Sequence, residues 1–170
     1  PMHVLIATTG VLTPGPTVEF VSQLAGANGR VTVTTVIEVP RTFLHDLRSE
    51  TWHPFEAVDD GRALLREEES LIARYVEERG RRLTEPVVSA LRAAGLDVRL
   101  VFQEGEDPAS TISALANKIE ADVVVLGATR KIFDQSAWES VSTRVMSEAG
   151  RPVLVLPPPR REAGGSEHAG

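Results

Sequence analysis

The strongest constraint on this chain is an alternation. Five short runs rich in Val, Ile, Leu and Thr are separated by segments whose apolar residues recur at helical spacing. The runs are His3–Ala7, closed by Thr8-Thr9-Gly10, then Val31–Val39, Val98–Phe102, Asp122–Leu126 and Val153–Leu156. Asp122-Val-Val-Val-Leu is apolar on both faces, as a central parallel strand must be. Between the runs, Val18, Val21, Leu24 and Ala25 mark a first helix, with Asn28-Gly29 as its stop. Asp107 and Pro108 open another as N-cap and first helical residue, and Ile112, Leu115 and Ile119 form its buried stripe. After a loop over Gly127–Glu139, a short helix is expected around Ser142–Ala149. Strands alternating with helices predict an α/β fold: an open, doubly wound, five-stranded parallel sheet in three layers, α/β/α, joined by right-handed crossovers.

One helical pattern is unusually long. It runs from Ala63 to Ala94 through Leu64, Leu71, Ile72, Tyr75, Val76, Leu83, Val87, Val88 and Leu91. Gly80 weakens its middle and Pro86 removes a hydrogen bond, so a kink or break is expected near 80–86. Residues 40–61 have no clear periodicity and read as an excursion.

The 170 residues fit one domain, 1–157, followed by a Pro-, Gly- and charge-rich tail, 158–170, that is expected to be disordered. Apolar residues make up 42%, enough for a core without staples, and Cys is absent. The formal net charge of −6 argues against non-specific nucleic-acid binding, which selects clustered Lys and Arg. No apolar run approaches the roughly 18 residues of a membrane span. Pro1-Met2 leads straight into a strand with no signal-peptide core, so a cytoplasmic location is expected.

Open parallel sheets bind ligands at the C-terminal ends of strands, where strand order reverses. With the order 3-2-1-4-5, the crevice lies between the first and fourth strands. Thr8-Thr9-Gly10 and Gly127-Ala128-Thr129-Arg130 then stand on either side of it. The same order leaves Val153-Leu154-Val155-Leu156 at an edge, and an apolar edge invites pairing. A two-fold homodimer through this strand is the expected cover; the alternative is the tail folding back.

Three stretches carry a family resemblance: Ala121-Asp-Val-Val-Val-Leu-Gly-Ala-Thr-Arg, Ser140-Val-Ser-Thr-Arg-Val-Met and Arg151-Pro-Val-Leu-Val-Leu, with Gly105-Glu-Asp-Pro-Ala in support. Over residues 3 to 157 the chain resembles the universal stress protein family, whose fold is of the adenine nucleotide alpha hydrolase type. The resemblance implies a stress-response or regulatory role. In nucleotide-binding members, a Gly-x2-Gly-x9-Gly-Ser/Thr pattern follows the fourth strand, and its backbone N–H groups close around phosphates. Gly127 matches the first glycine. Arg130 stands at the second and Glu139 at the third, with the spacing one residue short. Ser140, Val141 and Ser142 match the end of the pattern. An Asp after the first strand in those members is replaced by Thr9, and Gly10 is kept.

By this resemblance the nucleotide-contacting set is Thr8, Thr9, Gly10, Val36, Gly127, Thr129, Arg130, Ser140, Val141 and Ser142, with Val36 near the base. Two readings stay open, with a weak ATPase or adenylyl-transferring enzyme as a remote third. In the first, the protein works through contacts with an unidentified protein partner, as a homodimer, with weak or no ATP binding and no required cofactor. In the second, it is an ATP or adenine-nucleotide sensor. Arg130 is either a phosphate clamp or part of a solvated loop, and Ser140 and Ser142 either bind phosphate or cap the last helix.

Other candidates point to no chemistry. His45 and His53 lie near Glu50 and Glu56 at spacings that match no metal motif. Trp52 and Phe55 read as loop packing. A P-loop, a dinucleotide fingerprint and a Gly-x-Ser-x-Gly elbow are all missing. No acid, base or nucleophile is paired at readable spacing, so catalysis is not expected.

Overall fold

The computed structural model describes residues 1–8, 14–40, 42, 61–127 and 135–157, of which 61–65 and 135–140 are described as backbone. Five strands, β1 (His3–Thr8), β2 (Arg30–Ile37), β3 (Asp97–Glu104), β4 (Val123–Gly127) and β5 (Val153–Leu156), alternate with four helices among the described residues. These are α1 (Pro14–Ala25), α2 (Gly61–Ala93), α3 (Pro108–Lys118) and α4 (Gln135–Ala149). The sheet is parallel throughout, in the order β3-β2-β1-β4-β5. That is the topology the sequence predicts.

Strand alternation divides the core. Val4 and Ile6, Val31 and Val33, Val123 and Val125 point to one face and meet Val21, Ala25, Val87 and Leu91 of α1 and α2. Leu5, Ala7, Val36, Val124 and Leu126 point to the other and meet Ile112, Leu115, Val145 and Ala149 of α3 and α4. Every residue of β1 and β4 is buried. Two packed faces explain why these strands read as unbroken apolar runs.

Three boundaries differ from the sequence expectation. The first helix stops at Gly26, which takes φ +67°, and not at Asn28-Gly29. A left-handed residue directly after the last turn ends a helix, and Gly26 occupies that position. The long helix is continuous over 33 residues, straight through Pro86. Its buried stripe explains this: Val76, Gly80, Thr84, Val87, Val88 and Leu91 all face inward, while Pro86 and Arg82 face solvent. The carbonyl that Pro86 leaves without a partner, that of Arg82, is therefore on the side where water serves it.

The third difference bears on function. The last helix begins at Gln135, well before the expected Ser142. Gln135-Ser-Ala-Trp-Glu139 contains neither Gly nor Pro. Where the nucleotide-binding pattern has glycine, Glu139 is a good helix former, favoured over glycine by roughly 0.5–1 kcal/mol. Nothing within 135–139 stops the helix from starting at Gln135.

Candidate functional site

The crevice floor is one rank of residues across the sheet. Phe102, Thr35, Thr8, Gly127 and Leu156 stand side by side in register on the five strands. β1, β4 and β5 end at this rank, whereas β2 and β3 continue for two more residues. Val36 and Ile37 of β2 therefore form a wall above Thr8 and Gly127. The loop after β3 closes against that wall. Gly105 donates its N–H to the Ile37 carbonyl at 3.2 Å, and a Cβ at Gly105 would stand 3.4 Å from Val36 Cγ1.

The floor is polar for its depth. Thr8 and Thr35 are buried neighbours on β1 and β2, and among the described residues the Thr35 hydroxyl has no hydrogen-bond partner. A buried unmatched hydroxyl is costly, and here it lies one strand from where strand order reverses. Sequence reasoning named Thr8 and missed Thr35. The available signal was a Thr-Thr pair inside an otherwise apolar buried run.

The other lip is held by a charge pair. Asp107 precedes α3, and its carboxylate accepts two hydrogen bonds from Arg144 of α4, at 2.9 and 2.8 Å. Glu148 accepts a third from the same guanidinium at 2.9 Å. The Arg144 hydrogen bonds, with help from Ser110, hold the Asp107 carboxyl below its usual range, and Asp107 and Glu148 hold Arg144 firmly charged. Asp107 does occupy the N-cap position, but its side chain makes no cap bond. These residues are 37 apart in sequence, so only the fold brings them together.

Because Arg144 meets the start of α3, the nine residues of α4 before it add about 13 Å of helix beyond that contact. Ser140, Val141 and Ser142 fall within that extension. They are interior helical residues, not caps, which corrects the expected helix start. Val141 packs against the α3–α4 core. Thr9, Gly10, Thr129 and Arg130 lie outside the described residues, as do His45, His53, Trp52, Phe55 and the tail 158–170. Among the described residues, no group of three or more His, Asp or Glu is placed to hold a metal ion, and no helix is long and apolar enough to cross a membrane.

An open parallel sheet in this order, with its crevice between β1 and β4, defines a doubly wound α/β domain. The sequence model of the universal stress protein family matches residues 2–157, and the chain belongs to that family. A universal stress protein of Methanocaldococcus jannaschii is 32% identical over 93 residues, which is 54% of each chain, so the match spans about half the length of that relative. A solved universal stress family protein from Burkholderia pseudomallei is similar at TM-score 0.55 and 21% identity, covering 91% of this chain and 95% of its own. The hypothetical protein MJ0577 is similar at TM-score 0.59 and 19% identity, covering 94% and 97%. A universal stress protein solved in complex with cAMP is similar at TM-score 0.50 and 19% identity, covering 91% and 95%.

Proposed function

We propose that this chain is a stress-response module that acts through protein contacts as a homodimer, with weak or no ATP binding and no turnover. One observation carries the reading: residues 140–142 lie inside α4. Only the first few N–H groups of a helix are free to meet an anion. In a helix that starts at Gln135, those of Ser140, Val141 and Ser142 bond to carbonyls one turn back. That placement supports weak or no ATP binding, and leaves Thr8, Val36 and Gly127 as the candidate contacts for the nucleoside end of a nucleotide.

Among the described residues β5 is an edge of the sheet, which supports the homodimer. Val155 is 41% exposed, and Met146, on the neighbouring α4, is 55% exposed. An apolar edge strand beside an exposed Met is a surface that a second copy would cover. Val155→Lys should convert the dimer to a monomer in light scattering; an unchanged mass would remove β5 as the interface.

A second reading is a nucleotide sensor. Its support is the polar floor of Thr8 and Thr35, together with the similar protein solved with cAMP. A cyclic monophosphate carries one negative charge and needs less of a cradle than ATP. Thermal unfolding with and without millimolar MgATP or cAMP separates the readings. A ligand at 100 times its dissociation constant stabilises by about 2.7 kcal/mol, which is several degrees here. No shift with either supports the contact module. A shift with cAMP alone supports the sensor, and a shift with MgATP overturns the argument from α4. ATP hydrolysis above a protein-free blank would overturn the assignment of no turnover.

A further inference from the structure

Among the described residues β3 is the other edge of the sheet, and it differs in kind from β5. Asp97, Arg99 and Glu104 line it as exposed charged residues. Two hollows lie along the seam between β3 and α2. The first, about 400 Å³, has a floor of Ile72, Val76 and Phe102 and a rim of Glu69, Glu77 and Glu104. The second, about 290 Å³, lies over Val88 and Leu100, with Arg81, Glu85 and Arg92 at its rim. Glu77 and Arg81 pair at 2.7 Å, at the junction between the two. The seam is therefore acidic at the C-terminal end of β3 and carries its arginines at the N-terminal end.

The spacing of the hollows matches a strand. Phe102 and Leu100 are two residues apart on the same face of β3, about 7 Å along it. A strand laid beside β3 presents its own same-face side chains at that repeat. The edge also offers a backbone acceptor: among the described residues, the Val98 carbonyl accepts a long bond, 3.5 Å, from Arg92 Nη2. A ladder partner would satisfy it better.

We infer that the α2–β3 seam is a docking site for an extended segment of a partner protein, which adds antiparallel to β3 and carries a basic residue two positions before an acidic one. Antiparallel addition puts the basic residue over Glu69 and Glu104, with its aliphatic stem on Val76 and its charge near the Phe102 ring. The acidic residue then reaches Arg81 and Arg92. Main-chain bonds to β3 supply affinity, and the two hollows supply selectivity. The inference extends the reading of a protein-contact module by naming the surface and the chemistry of the partner. It stands independently of the crevice and of β5.

The test uses the full chain and two fluorescein-labelled peptides, acetyl-Thr-Val-Arg-Val-Glu-Val-Thr-amide and its charge-swapped counterpart with Glu and Arg exchanged. Anisotropy should report binding of the first at a dissociation constant of about 10–500 μM, a range ordinary for short added strands. The swapped peptide should bind at least about tenfold more weakly, because like charges then meet at both hollows. Glu104→Lys and, separately, Glu69→Lys should narrow or invert that preference, with circular dichroism unchanged. Equal affinity for the two peptides, no binding up to 1 mM (a limit set by weak-complex affinities), or indifference to both variants would overturn the inference. So would a change in the protein's own association state on Glu104→Lys, because the seam would then join copies of this chain. Loss of nucleotide binding or of β5 pairing would leave these peptide results unaltered.

Discussion

The ring of Phe102 on β3 rests directly on Gly80 of α2: a Cβ at Gly80 would stand 2.4 Å from Phe102 Cγ. The contact is with the root of the ring, which the backbone of β3 holds in place, so it cannot easily yield. Gly80→Ala improves helix propensity by about 1 kcal/mol, but the overpacking costs about 1–3 kcal/mol. A net loss of stability is expected in urea unfolding. Pairing it with Phe102→Val should recover part of that loss. A Gly80→Ala protein more stable than the parent would show that the helix and strand separate at little cost.

A second position is strained in the opposite sense. Glu120 takes φ +53° just past α3, where its N–H meets the Asn117 carbonyl at 3.2 Å and the next N–H, of Ala121, meets the Ala116 carbonyl at 2.9 Å. This is the helix-ending geometry that glycine normally fills. Glu120→Gly should stabilise the protein by about 0.5–1 kcal/mol, as relief of left-handed strain outweighs the freer unfolded chain. A lower urea midpoint for the variant would contradict this.

These two positions also show what sequence can and cannot convey. Gly80 looks like a helix breaker in sequence, because propensity is local and the Phe102 ring that requires a gap lies 22 residues on. Strand order and core residues were readable, because β1 and β4 are buried on both faces and their apolar runs are unmistakable. The start of α4 was not readable. The family pattern draws the eye to Ser140, while the absence of any breaker in 135–139 carries the helix past it. Arg144 was visible as part of a motif, but its partner Asp107 emerges only when α3 and α4 lie together. Thr8 and Gly127 stand side by side at the strand ends, where topology alone locates a crevice, whereas Val36 is named only through the family resemblance.

A pH dependence follows from His3. Its ring is buried, with Nδ1 at 3.2 Å from the Ile119 carbonyl and Nε2 at 2.8 Å from Thr32 Oγ1. A carbonyl only accepts, so Nδ1 carries the proton and the Thr32 hydroxyl donates to Nε2. Burial first, and then the positive charge of Arg30, push the His3 pKa below 6.5; Arg99 adds to this, while Asp122 and the Ile119 bond oppose it. A depressed histidine means that the unfolded chain binds the proton first. Stability from this group is therefore complete above about pH 6.5 and declines as pH falls towards the folded pKa, by at most about 1.4 kcal/mol per pH unit. Urea midpoints between pH 8 and 5 should show the decline, and His3→Gln should flatten it. An identical slope in the variant would assign the effect to other groups.

The helix start at Gln135 yields the prediction that bears most on function. If Glu139 carries the helix past the position where nucleotide-binding relatives break it, then glycine there should reopen the turn. The double change Arg130→Gly, Glu139→Gly supplies glycine at both replaced positions, with the spacing still one residue short. Glycine inside the helix costs about 1 kcal/mol and favours a new start near Ser140. The N–H groups of Ser140, Val141 and Ser142 would then be free, and Ser140 could cap the shortened helix. A parent protein indifferent to MgATP should become one whose unfolding midpoint rises by about 5–10 °C at saturating ligand. Helix content in circular dichroism should fall in the same variant, which links the two effects. A fall in helix content with no response to MgATP would mean that freed backbone groups do not suffice, and would point to the replacement of Asp by Thr9 as the more serious loss. A rise in midpoint with helix content unchanged would trace the defect to Arg130 instead of to the reach of α4.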